Sequence, residues 1–550
     1  MSLIRPTFMG FETAKRSLEV NQKAIDIVAN NLSNVDTPGY TRQRLDVATI
    51  VPSAYAARVS SSKIGVLGQG VEALGVGQIR DVFLDKRFRD EYAKASYHNQ
   101  AATLLNDLQA ALGDGHDLTD ETALLGSIMK IFQALHDYDY EPTLESQSNI
   151  VLAAVRNFTQ VMQQLDVKVR DVASAQIHEI GLDVNRVNEI FNEIAYYNYL
   201  ISRDTTVMAD PNNEYFRPNE LLDKRNLALD ELAGYGDISV RTLANGMIDV
   251  DFAGQTAVKG EEYLTMRMDV RDDQTISLVW QHSNQELNLS AGSLKASRDF
   301  MNGRGRNIQN NYETIYEGIP YYKDKLDTIS QAFANLFNNT IPVRAHPDEP
   351  GNNEFLTDAD GNVVYKKLIG AALSEDVVLD ADLELADGSI VAAGTLLRAG
   401  TAWPGGGGLI TAGNITISKE WADNGPGYFI FSPYENKANY AQQLCNGLTS
   451  DKQKFITHGE IFEGTFEDFI ADYITNLASQ IKFQEGRFES TALMADDFLD
   501  RRDEISGVNR DEETANMLIF QKSYNAAARL ITTYDEMIDL IVNRMGIVGR

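Results

Sequence analysis

Near its start the chain places Ile4, Phe8, Phe11, Ala14, Leu18, Asn21, Ile25, Val28 and Leu32 at steps of three and four residues. That spacing is one face of an α-helix, its apolar stripe interrupted by a single Asn. The stripe runs into Asn30-Asn31-Leu32-Ser33-Asn34-Val35-Asp36-Thr37-Pro38-Gly39-Tyr40. Pro38 bars the helix from continuing, and Thr37-Pro38-Gly39-Tyr40 suits a type II turn with Pro at i+1 and Gly at i+2. Asn30, Asn31, Asn34, Asp36, Pro38 and Gly39 are expected to fix a helix end and its turn, and Tyr40 to lead the chain outward.

A second stripe closes the chain: Met517, Phe520, Tyr524, Ala527, Ile531, Tyr534, Ile538, Ile541 and Met545 alternate steps of three and four, the heptad spacing of a coiled-coil seam. Asn509 followed by Glu512 is a capping-box variant, Asp511, Glu512 and Glu513 complement the helix dipole, and Gly546 stands where a helix stop belongs. The pattern predicts a helix of about 35 residues, roughly 50 Å long.

Between the stripes, helical periodicity predicts helices over Phe83 to Leu112, Glu121 to Tyr138, Ser146 to about Val207 and Asn219 to Leu232. From Asp237 to about Ser293 the pattern alternates, with a hairpin signal at Ala244-Asn245-Gly246. Helix is expected again from Tyr312 to Asn339 and from Asn436 to Asp503. Residues 345–435 hold Gly- and Asp-rich turns and short β-branched runs, which read as an inserted β domain. The predicted fold is multidomain α+β. Residues 1–60 with 506–550 make a coiled-coil-like helical terminal domain, and 61–236, 294–344 and 436–505 a helical body. Residues 237–293 are a small β insertion and 345–435 a β-rich inserted domain.

At 550 residues and 61.1 kDa the chain exceeds what one core supports. Its formal charge of −30 repels phosphate backbones and anionic lipid, so neither nucleic acid nor membrane is an expected partner. The charge is uneven. Residues 1–44 carry six basic and four acidic side chains, net +2, and residues 507–550 five basic and six acidic, net −1, so the middle holds −31. An acidic body with near-neutral ends fits a body facing water and ends packed on other protein. No apolar stretch of signal-peptide or membrane-span type occurs, which leaves the cytosol or an export route without a cleaved signal.

Candidate chemistry is sparse. The seven histidines stand singly, outside metal-binding spacings. Asp358-Ala359-Asp360-Gly361-Asn362 lacks the remaining ligands of a calcium loop and reads as a hairpin turn. Neither a phosphate-cradling glycine loop nor a nucleophile elbow is found. Cys445, the single cysteine, reads as a buried thiol on a helix face. No catalytic, cofactor-binding or metal residue is assigned, no cofactor is expected, and the chain is not expected to be an enzyme.

The stretch Ile27 to Arg44, IVANNLSNVDTPGYTRQR, resembles the N-terminal signature of the axial proteins of the bacterial flagellum, the rod, hook and hook-associated proteins. Ser506 to Asn543, SGVNRDEETANMLIFQKSYNAAARLITTYDEMIDLIVN, is similar to the hook-associated members of that family at the junction of hook and filament. Rod and hook proteins begin the corresponding stretch more like S-N-V-D, so Ser506-Gly507-Val508-Asn509 discriminates among them. Gly70 to Arg89 and Asn219 to Val240 also resemble the family, whereas residues 345–435 carry no match.

The resemblance implies a structural component of the flagellum that self-assembles into an axial ring between the hook protein and the next hook-associated protein. It also implies export by the flagellar type III apparatus, an extracellular location, and an export chaperone covering Met517 to Met545. Terminal helices that are disordered in the monomer and fold on assembly are implied as well. The expected assembly residues are Ile4, Phe8, Phe11, Leu18, Ile25, Leu32, Asn30, Asn31, Asn34, Pro38, Gly39 and Tyr40, with Met517, Phe520, Tyr524, Ile531, Tyr534, Ile538, Ile541 and Met545. The alternatives are a hook or distal rod protein, disfavoured by Ser506 to Asn509, and a secreted hydrolase with axial-type termini.

Overall fold

The computed structural model describes residues 7–50, 70–113, 123–140, 145–204, 207, 218–243, 245–306, 310, 312–345, 354–357, 361–373, 377–379, 383–384, 390–397, 409–429, 440–457 and 460–544. Helix α1 (Thr7–Ser33) is followed by the antiparallel pair β1 (Gln43–Thr49) and β2 (Val71–Gln78), bulged between Asp46 and Val47. Helices α2 (Val82–Leu112), α3 (Leu124–Tyr140), α4 (Glu145–Ser202) and α5 (Asn219–Tyr235) then build the body. The 58 residues of α4 extend roughly 87 Å at about 1.5 Å per residue.

The alternating segment folds as expected. Strands β3 (Ile238–Thr242), β4 (Ile248–Phe252), β5 (Gln255–Lys259) and β6 (Glu262–Tyr263) form an antiparallel meander, and β7 (Met266–Val270) pairs with β8 (Ile276–Trp280). Period-two patterning puts Ile248, Val250 and Phe252 on one face, all buried. That face lies on α4, with Phe252 meeting Phe191 edge-on at 5.4 Å.

Helices α6 (Ser293–Asn302) and α7 (Ile319–Asn338) follow. Helix α7 begins at Ile319, later than the predicted start at Tyr312. Proline punctuation explains the delay: Pro320 belongs in a first helical turn, and the preceding stretch is spent on bridges from Gly303 to Thr314 and Arg304 to Glu317.

Within residues 345–435 the described pieces are short ladders: β9 (Ile369–Ala371) with β14 (Ile415–Ile417), β10 (Val377–Val378) with β13 (Leu396–Leu397), and β11 (Leu383–Glu384) with β12 (Ile390–Val391). A short helix, α8 (Lys419–Asn424), capped by Ser418, follows. Thr357 and Val363 bridge across Asp358 to Asn362, of which Asp358 to Asp360 lie outside the described residues.

The predicted helix over Asn436 to Asp503 is corrected. It divides into α9 (Tyr440–Thr449), the hairpin β15 (Gln453–Thr457) with β16 (Glu460–Gly464), and α10 (Phe466–Ser506). The hairpin forms because Phe455 pairs across it with Phe462 and stacks on Phe469 of α10 at 4.3 Å, burial that a helix over these residues forgoes. Thr465 and Asp468 close a reciprocal capping box at the start of α10. The last helix, α11 (Arg510–Asp539), ends in a π turn over Leu540–Arg544, and Gly546 lies outside the described residues. Cys445 is buried on α9, and burial, with Asp139 nearby, pushes its thiol up to about 11.

Asparagines join helices to strands throughout. A carboxamide offers one acceptor and two donors, so it can satisfy a strand's N–H and C=O at once. Asn198 of α4, fully buried, donates to the carbonyls of Ile248 (2.8 Å) and Gly260 (2.7 Å) and accepts from the Ile248 N–H (3.2 Å). Asn188 holds both backbone groups of Met266, Asn302 those of Ile276, and Asn338 those of Ile369. Each bond satisfies a buried backbone group where a strand meets a helix.

Candidate assembly interface

The Asn-rich stretch after α1 is a built corner. The Tyr40 N–H donates to the Thr37 carbonyl at 3.2 Å, and Gly39 has φ +75°, the geometry of the expected type II turn. Asn34 caps the helix end by donating to the Asn30 carbonyl at 2.9 Å. Asn31, buried, again mimics backbone: it accepts from the Gln43 N–H (3.0 Å) and donates to the Gln43 carbonyl (2.9 Å), seating β1 against α1.

Tyr40 does not lead outward. Its hydroxyl folds back to donate to Asn31 Oδ1 at 2.8 Å and accepts from Asn30 at 3.2 Å. Burial, with Asp223 and Glu513 nearby, holds the phenol above its ordinary range, so it stays a donor.

This corner is where the two ends of the chain meet. Glu513, in the first turn of α11 and 2% exposed, accepts from Asn31 at 3.0 Å and from Arg42 at 2.7 Å. Arg42 also reaches Glu512 at 3.1 Å, and its N–H donates to the Ser506 carbonyl at 2.8 Å. Asn509 accepts from the N–H groups of Asp511 and Glu512, capping α11. The capping box expected with Glu512 is therefore half made, since the Glu512 carboxylate turns to Arg42. Arg510 meets Asp36 at 2.5 Å on the exposed side.

The corner is tied to the body by a second set of groups. Asp223 of α5 accepts from the Thr41 N–H (3.3 Å) and from Gln78 (2.8 Å). Its burial raises the carboxyl's pKa, opposed by those same hydrogen bonds. Below it runs a chain of ion pairs linking α2, α5 and α10. Arg80 grips Asp85 with two bonds of 2.6 and 3.0 Å, Arg502 lies 3.8 Å from Asp85 and 2.8 Å from Asp230, and Arg89 meets Asp230 at 2.6 Å. The Arg502 guanidinium also covers the Phe88 ring at 4.6 Å. The turn, Leu227 and the Arg502 to Asn509 link enclose a groove of about 650 Å³.

Helices α1 and α11 run antiparallel from this corner, with Gly10 against Tyr534 at the far end. A side chain at Gly10 would overlap the tyrosine, so glycine there sets the close approach. Ala14, Ala24, Val28 and Ala527 are buried in the seam. Phe11, Leu18, Ile25, Leu32, Met517, Phe520, Tyr524, Ile531, Tyr534 and Ile538 are half-buried along it. Asn30, Pro38 and Gly39 are exposed at the corner, Asn34 and Tyr40 half-buried, and Ile541 is exposed beyond the seam. Ile4, the Phe8 side chain and Met545 lie outside the described residues.

Sequence reasoning missed Arg42, Glu513, Asp223, Asp85, Asp230 and Arg502. Arg42 and Glu513 were visible as charges beside a turn and a helix start, but nothing local indicates a pairing across 471 positions. Among the described residues there is no His, Cys, Asp or Glu cluster fit to hold a metal, and no helix is long and apolar enough to cross a membrane.

Helical ends joined through an Asn-rich turn fit the resemblance to flagellar axial proteins, and the comparisons point the same way. Residues 11–41 match the flagella basal body rod protein family, and residues 500–545 the flagellar basal body rod FlgEFG protein C-terminal family. Residues 114–341 match the flagellar hook-associated protein FlgK helical domain. Within the axial class, the chain is similar along nearly its whole length to flagellar hook-associated protein 1. It is 26% identical over 556 residues to that protein of Bacillus subtilis, covering 99% of both chains. It is 21% identical over 570 residues to that of Salmonella typhimurium, covering 96% of this chain and 98% of the relative. The flagellar hook junction protein FlgK from Burkholderia pseudomallei shares the fold, with a TM-score of 0.52 and 12% identity over 76% of this chain and all of that one.

Proposed function

We propose that the chain is a structural junction protein that self-assembles into an axial ring between flagellar hook and filament, without enzymatic activity. One observation carries this reading. The α1/α11 pair buries one side of each helix and leaves Leu518, Ile519, Leu530 and Met537 between 52% and 58% exposed on the other side of α11, with Leu540, Ile541 and Val542 exposed in the turn beyond it. A two-helix seam with so much unburied apolar surface is a poor stable end state alone. Neighbouring copies in a tube bury what the seam leaves open.

In this reading residues 1–60 with 506–550 form the terminal assembly domain, carrying the stripe residues and the corner named above. Residues 61–236, 294–344 and 436–505 form the body, and 237–293 and 345–435 are its β insertions. The −31 of the middle keeps the body solvated outside the tube. The ring contacts the hook protein on one side and the next hook-associated protein on the other. Export runs through the flagellar type III apparatus to the cell exterior, and an export chaperone covers Met517 to Met545 on the way.

Expression of a chain truncated before Ser506 in cells lacking the full-length protein tests the reading. Hooks without filaments are expected, and filaments of ordinary number and length on those hooks would overturn it.

A further inference from the structure

Two exposed patches on the paired helices α2 and α10 carry opposite character. The first is on the opening turns of α2. Val82 is 77% exposed and Phe83 61%, with Lys86 and Arg87 exposed beside them and the Arg87 guanidinium 5.1 Å over the Phe83 ring. In a chain of net charge −30, neither Lys86 nor Arg87 pairs with a carboxylate among the described residues. The second is on the closing turns of α10, where Leu493 is 65% and Met494 53% exposed beside exposed Asp497, Asp500 and Glu504. Arg501 is the exposed cation there, and it is engaged by Asp497 at 3.0 Å.

Helical geometry fixes how the patches are disposed. Phe88 of α2 and Arg502 of α10 face each other across the helix pair. At 3.6 residues per turn, Phe83, Lys86 and Arg87 fall on the side of α2 turned away from α10. Leu493, Asp497, Asp500 and Glu504 fall on the side of α10 turned away from α2. Their level is set by the Arg502 contacts with Asp85 and Phe88, which place Phe83 and Lys86 beside Asp500 and Glu504 within about two turns. The basic side chains of one patch and the carboxylates of Asp500 and Glu504 stand at equal height on opposite sides, which suits a heterologous contact that repeats around a ring.

We infer that the Val82–Phe83–Lys86–Arg87 knob of one copy docks on the Asp497–Asp500–Glu504 face of the next copy in the ring. The inference rests on the ring reading above, but concerns a body contact separate from the α1/α11 seam. Lys86 and Arg87 take the carboxylates, and the neighbouring copy covers Phe83.

The test replaces Phe83 and Asp497 by cysteine in the full-length protein and treats isolated flagella with a flexible bis-maleimide. Cys445, buried, stays unreacted. A ladder of multiples of the chain is expected only when both cysteines are present. Lys86→Glu with Arg87→Glu is expected to reduce the ladder about tenfold, because attraction at two pairs becomes repulsion. Adding Asp500→Lys with Glu504→Lys restores it. Failure of both cysteine variants and the parent to enter flagella overturns the ring reading itself. Normal entry without a ladder, or a crosslink to a chain of another size, overturns the knob contact alone.

Discussion

Asp230 and Glu231 are adjacent on α5 and both pair with arginine, yet their removal has unequal consequences. Asp230 is shared by Arg89 at 2.6 Å and Arg502 at 2.8 Å, with the two arginine side chains only 8% and 16% exposed. Asp230→Ala leaves Arg89 with the Asn226 carbonyl at 3.5 Å and Arg502 with Asp85 at 3.8 Å. Removing one partner of a buried pair costs about 3–5 kcal/mol, and the surviving Asp85 contact puts this variant near the lower end, about 3 kcal/mol.

Glu231 is 41% exposed, and its partner Arg186, 35% exposed, keeps Glu189 at 3.2 Å and Glu193 at 3.0 Å. Glu231→Ala therefore costs about 0.5 kcal/mol. Urea unfolding of the purified full-length chain, followed by far-ultraviolet circular dichroism, compares the two midpoints against the parent. A clear fall for Asp230→Ala with Glu231→Ala near the parent is expected. Equal shifts, or a larger one for Glu231→Ala, would refute the weight placed on burial. A cycle with Arg89→Ala then isolates the pair, with a coupling of at least about 1 kcal/mol.

Asn198→Ala removes the group that satisfies Ile248 and Gly260, for a loss of about 3 kcal/mol in the same unfolding experiment and faster amide exchange at Ile248. Gly39→Ala forces a side chain into φ +75° and costs about 1 kcal/mol or more; an Asn there costs less, read as thermal stability of assembled flagella. Asp183, pushed up to about 6 by burial and by Glu179, titrates above its unfolded range. Its contribution is full below about pH 4 and is lost as pH rises through about 6. Asp183→Asn is thus expected to unfold at higher urea than the parent near pH 7, with no difference near pH 4, and an equal gain at both pH values would contradict the assignment.

The two terminal helices and the hairpin after Asp237 were legible because each is written in a local period. Steps of three and four over Met517 to Ile538 specify a stripe, and alternation over Ile248 to Phe252 specifies a half-buried strand. The turn at Thr37 to Tyr40 was equally local, since Pro and Gly restrict their own dihedral angles. Two local readings failed where a neighbour outweighed the pattern. Phe455 finds Phe469 and becomes strand within a stretch read as helix. The start of α7 yields residues to bridges with the loop after α6.

The corner itself belongs to tertiary structure. Asn31 stood in a conspicuous run of amides, but its partners Gln43 and Glu513 lie 12 and 482 positions away. Asp230 looked like any of 79 acidic residues until folding enclosed it between two arginines. Periodicity encodes which face of an element is apolar, because that depends on each residue's own side chain. It cannot encode which charge meets which, because a buried ion pair gains its strength from the low dielectric that only the assembled helices around it create.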